Sequence, residues 1–264
     1  MVSMSTTISI VSHKGGVSKT SSAINLSDAL SRENKRVLVI DLDPQANASL
    51  VISKENPMLV RYSMAEVMLG DVSMKDCIQK TTNIPGVHLA PACIRLMSVE
   101  DKLRQRSFNL ADILVKRIAP VKDDYDFILI DCPPSLSLLP ANALVASDYY
   151  IIPLSSGSEF SLVGMDDLQD FVGRIHDNNP KLALLGVLMV NHDARKSVCQ
   201  STLALVQDRY PAVFQTTIST STKVDQAHIS HRSLLQHDRS SRVAKEYVAV
   251  AQEIIERIKE SKHE

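Results

Sequence analysis

The chain has 264 residues, of which 44% are hydrophobic and 22% charged, with a net charge of −1. That is enough for one large core, and it excludes a uniformly basic nucleic-acid binder. The longest apolar run, Leu182–Val190, is about half of the ~18 residues a membrane span needs. The first twelve residues lack the basic region and apolar core of a secretory signal. Four cysteines (Cys77, Cys93, Cys132 and Cys199) share no short metal or redox spacing, which points to reduced thiols in a cytoplasm. Charge is unevenly spread: residues 181–264 hold 12 Lys+Arg against 9 Asp+Glu and five of the eight histidines. This allows a modest basic patch late in the chain, or simply scattered solvated charge.

In chain order, short β-rich runs alternate with helical patterns. Strands are expected at Thr7–Ser12, Arg36–Asp41, Asp126–Asp131, Tyr149–Leu154 and Leu182–Val190. Their nearly continuous apolar character suits parallel strands covered on both faces. Between the first two, Ala23, Ile24, Leu26 and Leu30 are spaced as the buried stripe of a helix. Met64, Met68 and Leu69 read as helical packing. No linker, repeat or low-complexity tract divides residues 1–264. The expected fold is one α/β domain, a doubly wound and mostly parallel sheet with helices on both faces, which binds ligands at the carboxyl ends of its strands.

The stretch "SHKGGVSKTSS" (Ser12–Ser22) falls at such an end, between the first strand and first helix. Gly15 and Gly16 let the backbone approach an anion, and the helix N-terminus presents free N–H groups. Lys19 supplies a charge for phosphates, and the Thr20 hydroxyl suits Mg²⁺. His13 and Ser18 stand where the usual G-x-x-x-x-G-K-[ST] loop has its two glycines. Asp41 and Asp43 close the second strand, one directed toward a hydrated metal and one toward an attacking water. Asp131, after four apolar residues, ends the strand within "YDFILIDCPPS", in the position from which a carboxylate holds Mg²⁺ through water. A single strand-terminal Asp is ordinarily a turn or cap residue; three beside one glycine loop are not easily assigned to capping.

In this order, "KGGVSKT", "DLDPQ" and "DCPPS" resemble the deviant Walker A ATPases of the ParA/MinD family. The family loop reads K-G-G-x-G-K-[ST], so the absence of the first glycine is expected there. The resemblance extends through "YSMAEVMLGDVSMKDCI", through "LAPACIRL" as a third strand and loop, and through "LLPANALVASDYYIIPLSS". It reaches the partition-type "KVDQAHISHRSLLQHDRSSRVAKEY". It implies ATP and Mg²⁺ as cofactors, nucleotide contacts from Lys14, Gly15, Gly16, Val17, Ser18, Lys19, Thr20 and Ser21, and metal contacts from Thr20, Asp41 and Asp131. Lys14 matches the family's extra lysine, which crosses an ATP-sandwiched homodimer to the partner's phosphates. With Lys19 and Asp43 it makes up the implied catalytic set. Asn191 is either an adenine contact, as in related ATPases, or a turn residue.

Ser18 departs from the family by replacing the glycine before the phosphate lysine. A left-handed backbone there would cost about 1–3 kcal/mol and disfavour hydrolysis more than binding, whereas at negative φ serine fits and can add a hydroxyl contact. The family splits into members that ride on DNA and members that ride on membrane. The C-terminal stretch has an apolar stripe (Val243, Tyr247, Ala251, Ile254, Ile258), but Glu246, Glu253, Glu256 and Glu260 line its other faces. It is expected to be a core-packed closing helix rather than a lipid anchor. For DNA riding, the resemblance matches Arg195 and Lys223 to basic contact positions, with Lys196, Arg232, Arg239 and Arg242 nearby; Thr220 stands where the family often has an arginine. So few residues precede the first strand that no helix-turn-helix for operator binding is expected.

The resemblance therefore implies a cytoplasmic ParA-type ATPase associated with nucleoid DNA. Its partners would be non-specific double-stranded DNA, a ParB-like or other cargo-bound stimulator, and a second copy of itself. The alternatives are a MinD-like membrane-cycling ATPase of the division site, or a non-hydrolysing ATP-dependent switch motivated by Ser18.

Overall fold

In the computed structural model, described here for residues 5–80, 82–106, 110–157 and 164–261, six parallel strands form one sheet. They are β1 (Thr6–Ile10), β2 (Val37–Asp41), β3 (Val87–Ala90), β4 (Phe127–Asp131), β5 (Tyr149–Ser155) and β6 (Ala183–Val190). Their order is β3-β2-β4-β1-β5-β6, so β1 lies at the centre between β4 and β5. The five strands expected from apolar runs are all present. The short β3 overlaps at Leu89 and Ala90 the segment "LAPACIRL" that family resemblance, not periodicity, marked as strand and loop, and it begins two residues earlier.

Alternation along each strand divides the core between two faces. Ile8 and Ile10 of β1, Val37 and Val39 of β2, and Phe127 and Leu129 of β4 face the first helix (Lys19–Arg32) and the closing helix (Arg242–Ser261). Leu38 and Ile40 of β2, Ile128 and Ile130 of β4, and Ile152 of β5 face the helices Met64–Leu69, Ile113–Ile118, Leu138–Val145 and Met165–Ile175. The predicted first-helix stripe (Ala23, Ile24, Leu26 and Leu30) is fully buried. So is the closing-helix stripe, Val243, Tyr247, Ala251, Ile254 and Ile258, which belongs to the core cluster shared with the first helix. Residues 262–264 of that predicted segment lie outside the described residues. All four cysteines are free and buried.

Register brings the strand ends together. Asp41 of β2 is level with Asp131 of β4, and Ile10 of β1 is level with Asp131. The phosphate-type loop therefore leaves the sheet directly beside Asp131, with Asp41 one strand further across β4. Two irregular segments line the sheet's outer strands. Gln79 pairs with Leu89 of β3, and residues 212–219 run along β6 through Val187 N–H to the Ala212 carbonyl and Phe214 N–H to the Val187 carbonyl. Among the described residues, no helix is long and apolar enough to cross a membrane.

Because Ile254 is wholly buried between the closing and first helices, Ile254→Ala is expected to cost about 2–5 kcal/mol by urea unfolding. Glu256→Ala, on the exposed face of the same helix, should stay within about 0.5 kcal/mol of the parent.

Candidate nucleotide site

A cleft of about 810 Å³ opens at the carboxyl ends of the strands. Gly15, Gly16, Ser18, Lys19, Thr20 and Ser21 form its floor, and Asp43 and Pro134 flank it. Asn191, Ile218, Ser219 and Thr220 also line it. The loop keeps its shape through two left-handed residues, Gly16 (φ +73°) and Ser18 (φ +60°). A Cβ at Gly15 or Gly16 would meet nothing within 4 Å, so these glycines leave the loop's surface open to a ligand. Val17 is buried and pins the loop to the core.

Ser18 thus adopts the conformation in which a side chain is costly. It is the N-cap of the first helix, and its hydroxyl makes no capping bond to offset the strain. A second left-handed cap that composition does not reveal occurs at Ala46 (φ +55°), before the helix Asn47–Ile52. Its N–H bonds the Asp43 carbonyl at 2.8 Å, so the turn carrying Asp43 is also held by a non-glycine residue at positive φ.

Lys19 is buried, and its Nζ donates to the Lys14 carbonyl at 2.8 Å. Burial lowers its pKa, opposed by the charges of Asp131, Cys132 and Asp43. Asp41, fully buried, accepts from Ser49 N–H (2.8 Å), Ser49 Oγ (2.7 Å) and Asp43 N–H (3.0 Å). Burial nevertheless raises its pKa to about 6. Asp41 is therefore a brace for the Asp43 turn as much as a free ligand, a role its place in the motif does not disclose. Asp43 stands at the cleft wall and accepts from Gln45 N–H at 2.9 Å.

Asp131 differs. It is fully buried, and neither carboxylate oxygen has a hydrogen-bond partner within 3.5 Å among the described residues. Burial, then the neighbouring charge of Asp41, pushes its pKa well above the usual carboxylate range; a longer-range pull from the Thr20 hydroxyl and Lys19 opposes them. An orphaned buried carboxylate is costly unless something charged completes it. No three His, Cys, Asp or Glu side chains among the described residues form a ready cation cage. The donor set instead fits a hydrated cation such as Mg²⁺, held by one hydroxyl and, through water, by a carboxylate.

Asn191 lies across the cleft from the loop, at positive φ (+51°), with its Nδ2 facing Ser155 Oγ at 3.4 Å. Its backbone is that of a turn residue while its side chain belongs to the cleft, so both readings of it are accommodated. Ser219, Thr220 and Ser221 complete that end; the hydroxyl run "STST" carries no motif that marks it as part of the cleft, and the resemblance singles out Thr220 only for standing where an arginine is frequent.

The expected basic residues gather only in part. Arg195, Lys196 and Arg242 line one hollow of about 520 Å³ with His192, Ser219 and Thr220. Lys223 pairs with Asp238, Arg195 with Asp193 at 2.9 Å, and Arg242 with Glu246 at 2.8 Å. The Arg195 bonds hold Asp193 at a pKa of about 2. Arg239 is exposed beside Asp238, and Arg232 is exposed but does not line the hollow. Internal acids thus engage three of the six cations.

Two consequences can be measured. Ser18→Gly should stabilise the fold by about 1 kcal/mol, because the strain relieved exceeds the added freedom of the unfolded chain. Because the folded pKa of Asp131 is raised, its ionisation costs stability as pH rises above the unfolded carboxylate range. Asp131→Asn should therefore gain on the parent in urea midpoint between pH 5 and pH 8; a pH-independent difference would contradict the assignment.

The comparisons agree with this geometry. A family profile described as "AAA domain" matches residues 5–184. The chromosome partitioning protein ParA of Caulobacter vibrioides is 33% identical over 255 residues, covering 95% of this chain and 94% of that one. The sporulation initiation inhibitor protein Soj of Bacillus subtilis is 33% identical over 250 residues, covering 94% and 97%. Among solved structures, cobyrinic acid a,c-diamide synthase from Mycobacterium smegmatis with bound ADP and magnesium superposes with a TM-score of 0.83 at 29% identity, covering 94% of this chain and 93% of that one. With a P-loop at the centre of a parallel sheet and near-full-length identity to ParA and Soj, the chain belongs to the ParA/MinD family of P-loop ATPases.

Proposed function

We propose that this chain is a Mg²⁺-dependent ATPase of the ParA partition type that binds DNA without sequence preference while it holds ATP. The observation that carries the reading is the convergence of Lys19, Thr20 and Asp43 on one strand-end cleft, with the orphaned Asp131 buried at the adjoining end of β4. Loop N–H groups and Lys19 would bind the phosphates. Mg²⁺, when bound, supplies charge neutralisation at the phosphates; Thr20 would hold it, with Asp131 and Asp41 acting through water. Asp43 would orient the attacking water, and Lys19 and Lys14 would balance charge that develops on the transferred phosphoryl group.

Lys14 is partly exposed on the loop just before Gly15, which suits a side chain reaching the nucleotide of a second copy. In this reading ATP assembles the homodimer, Arg195, Lys196, Lys223 and Arg242 contact DNA phosphates, and a ParB-like or other cargo-bound partner speeds hydrolysis and frees the dimer. The protein would then be found on nucleoid DNA in the cytoplasm, segregating plasmid or chromosome or positioning another cargo. Covering the closing-helix stripe with the first helix speaks against its use as a lipid anchor. The strained Ser18 supports one second reading, an ATP switch that binds without turnover.

Co-sedimentation with duplex DNA in ATP, in ADP and without nucleotide tests the proposal. Binding should require ATP and weaken steeply between low and moderate salt. Lys14→Ala should bind ATP yet stay monomeric in sizing experiments. Dimerisation by that variant would remove the trans-lysine role, and phosphate release above blank would exclude the non-hydrolysing switch.

A further inference from the structure

The nucleotide cleft and the basic hollow are separated by a thin wall. Asn191 lines the cleft and the next residue, His192, lines the hollow. Opposite them, Ser219 and Thr220 line both. The chain leading to this wall is fixed: Ile218 N–H bonds the Met189 carbonyl at 2.8 Å, His192 N–H bonds the Ile218 carbonyl at 2.9 Å, and Glu253 accepts from Gln215 and Thr216 N–H. His192 is buried, with its Nδ1 at 2.9 Å from Ser156 Oγ.

Beyond Ile218, the wall is held by a side chain of the closing helix. Glu246, on the closing helix, accepts Ser219 N–H on Oε2 and Ser219 Oγ–H on Oε1, both at 2.7 Å. The same Oε1 accepts Arg242 Nε at 2.8 Å. The Glu246 side chain is only 13% exposed and that of Arg242 is 73% exposed. One largely buried carboxylate oxygen is therefore shared between the wall of the nucleotide cleft and a cation of the hollow. A displacement of Ser219 alters the partners of that oxygen, and hence its hold on Arg242.

We propose that Glu246 is a positioning residue that couples the two sites: a nucleotide pressing on the Ser219–Thr220 wall changes the Glu246–Arg242 pair and so the hollow's readiness for phosphate. The inference rests on the readings of the cleft as nucleotide site and the hollow as DNA contact, and it adds the link between them. Coupling of this kind is reciprocal, so DNA in the hollow would also change nucleotide affinity by the same factor.

The test compares the full-length parent with Glu246→Gln, which keeps the shape and an acceptor for Ser219 N–H but gives up the charge that holds Arg242. Two measurements are made with a non-hydrolysable ATP analogue, with ADP and with no nucleotide: affinity for a short duplex, and hydrogen exchange of peptides covering 219–221 and 241–248. In the parent, both peptides should change protection when the analogue is added. In Glu246→Gln, with nucleotide affinity unchanged within about twofold, only 219–221 should respond, and the ratio of duplex affinities with analogue and with ADP should fall toward one. An equal response of 241–248 in both proteins, or its absence in the parent, overturns the coupling. Failure of the parent to bind duplex in any nucleotide state would instead count against the DNA reading, and the exchange data would still decide the role of Glu246. Arg242→Lys separates charge from geometry: it should lose most of the response at 241–248 while 219–221 responds as in the parent.

Discussion

Everything at the strand ends depends on the energetics of two carboxylates placed side by side out of water. Asp41 and Asp131 sit in register on adjacent strands, both fully buried, and burial raises the pKa of each. Unpaired burial of such groups is costly, so the surroundings are built to offset it. Ser49 supplies two hydrogen bonds to Asp41, and the Asp43 N–H supplies a third. Lys19 is drawn in until it too is desolvated, and its charge partly balances Asp131. What remains unbalanced is the pair of Asp131 oxygens, which makes that side of the cleft selective for something positive. The glycine loop opposite is selective for something negative. A phosphate with its counter-cation satisfies both.

Much of this arrangement is legible in the amino-acid sequence. Strand runs such as "VLVID" and "FILID" are apolar because both faces of the sheet are covered, and each ends on an Asp because the carboxyl edge is where water and ligand begin. The first-helix stripe and the closing-helix stripe are readable because a two-sided sheet requires them. β3 is only four residues long, too short for a periodicity signal, and family resemblance reaches only its last two residues, Leu89 and Ala90.

What escapes a reading of the sequence depends on backbone state and on long-range pairing. Ser18 is ambiguous as a letter, because a serine is harmless at negative φ and strained at positive φ, and only the fold sets its value of +60°. Ala46 gives no warning at all, since alanine is ordinary in composition and unusual only at φ +55°. The partners of Glu246 and Glu253 in residues 215–219 lie 27 to 38 residues away; in sequence the two glutamates are acidic residues on a polar helix face, while in the fold they hold the segment beside β6. The basic residues can be counted along the chain, and the i,i+4 spacing joins Arg242 to Glu246, but nothing in the spacing of Arg195 and Lys223 assigns Asp193 and Asp238 to them as acidic companions.

The segments flanking the sheet have a consequence for assembly. The outermost strand on one side already gives the Val187 N–H to Ala212, and on the other the Leu89 N–H goes to Gln79. Backbone groups that could template a stranger's strand are thereby engaged from within the same chain. A sheet finished in this way is poorly suited to growing sideways by adding strands. Any contact with another protein would therefore have to fall on side-chain surfaces rather than on open backbone edges.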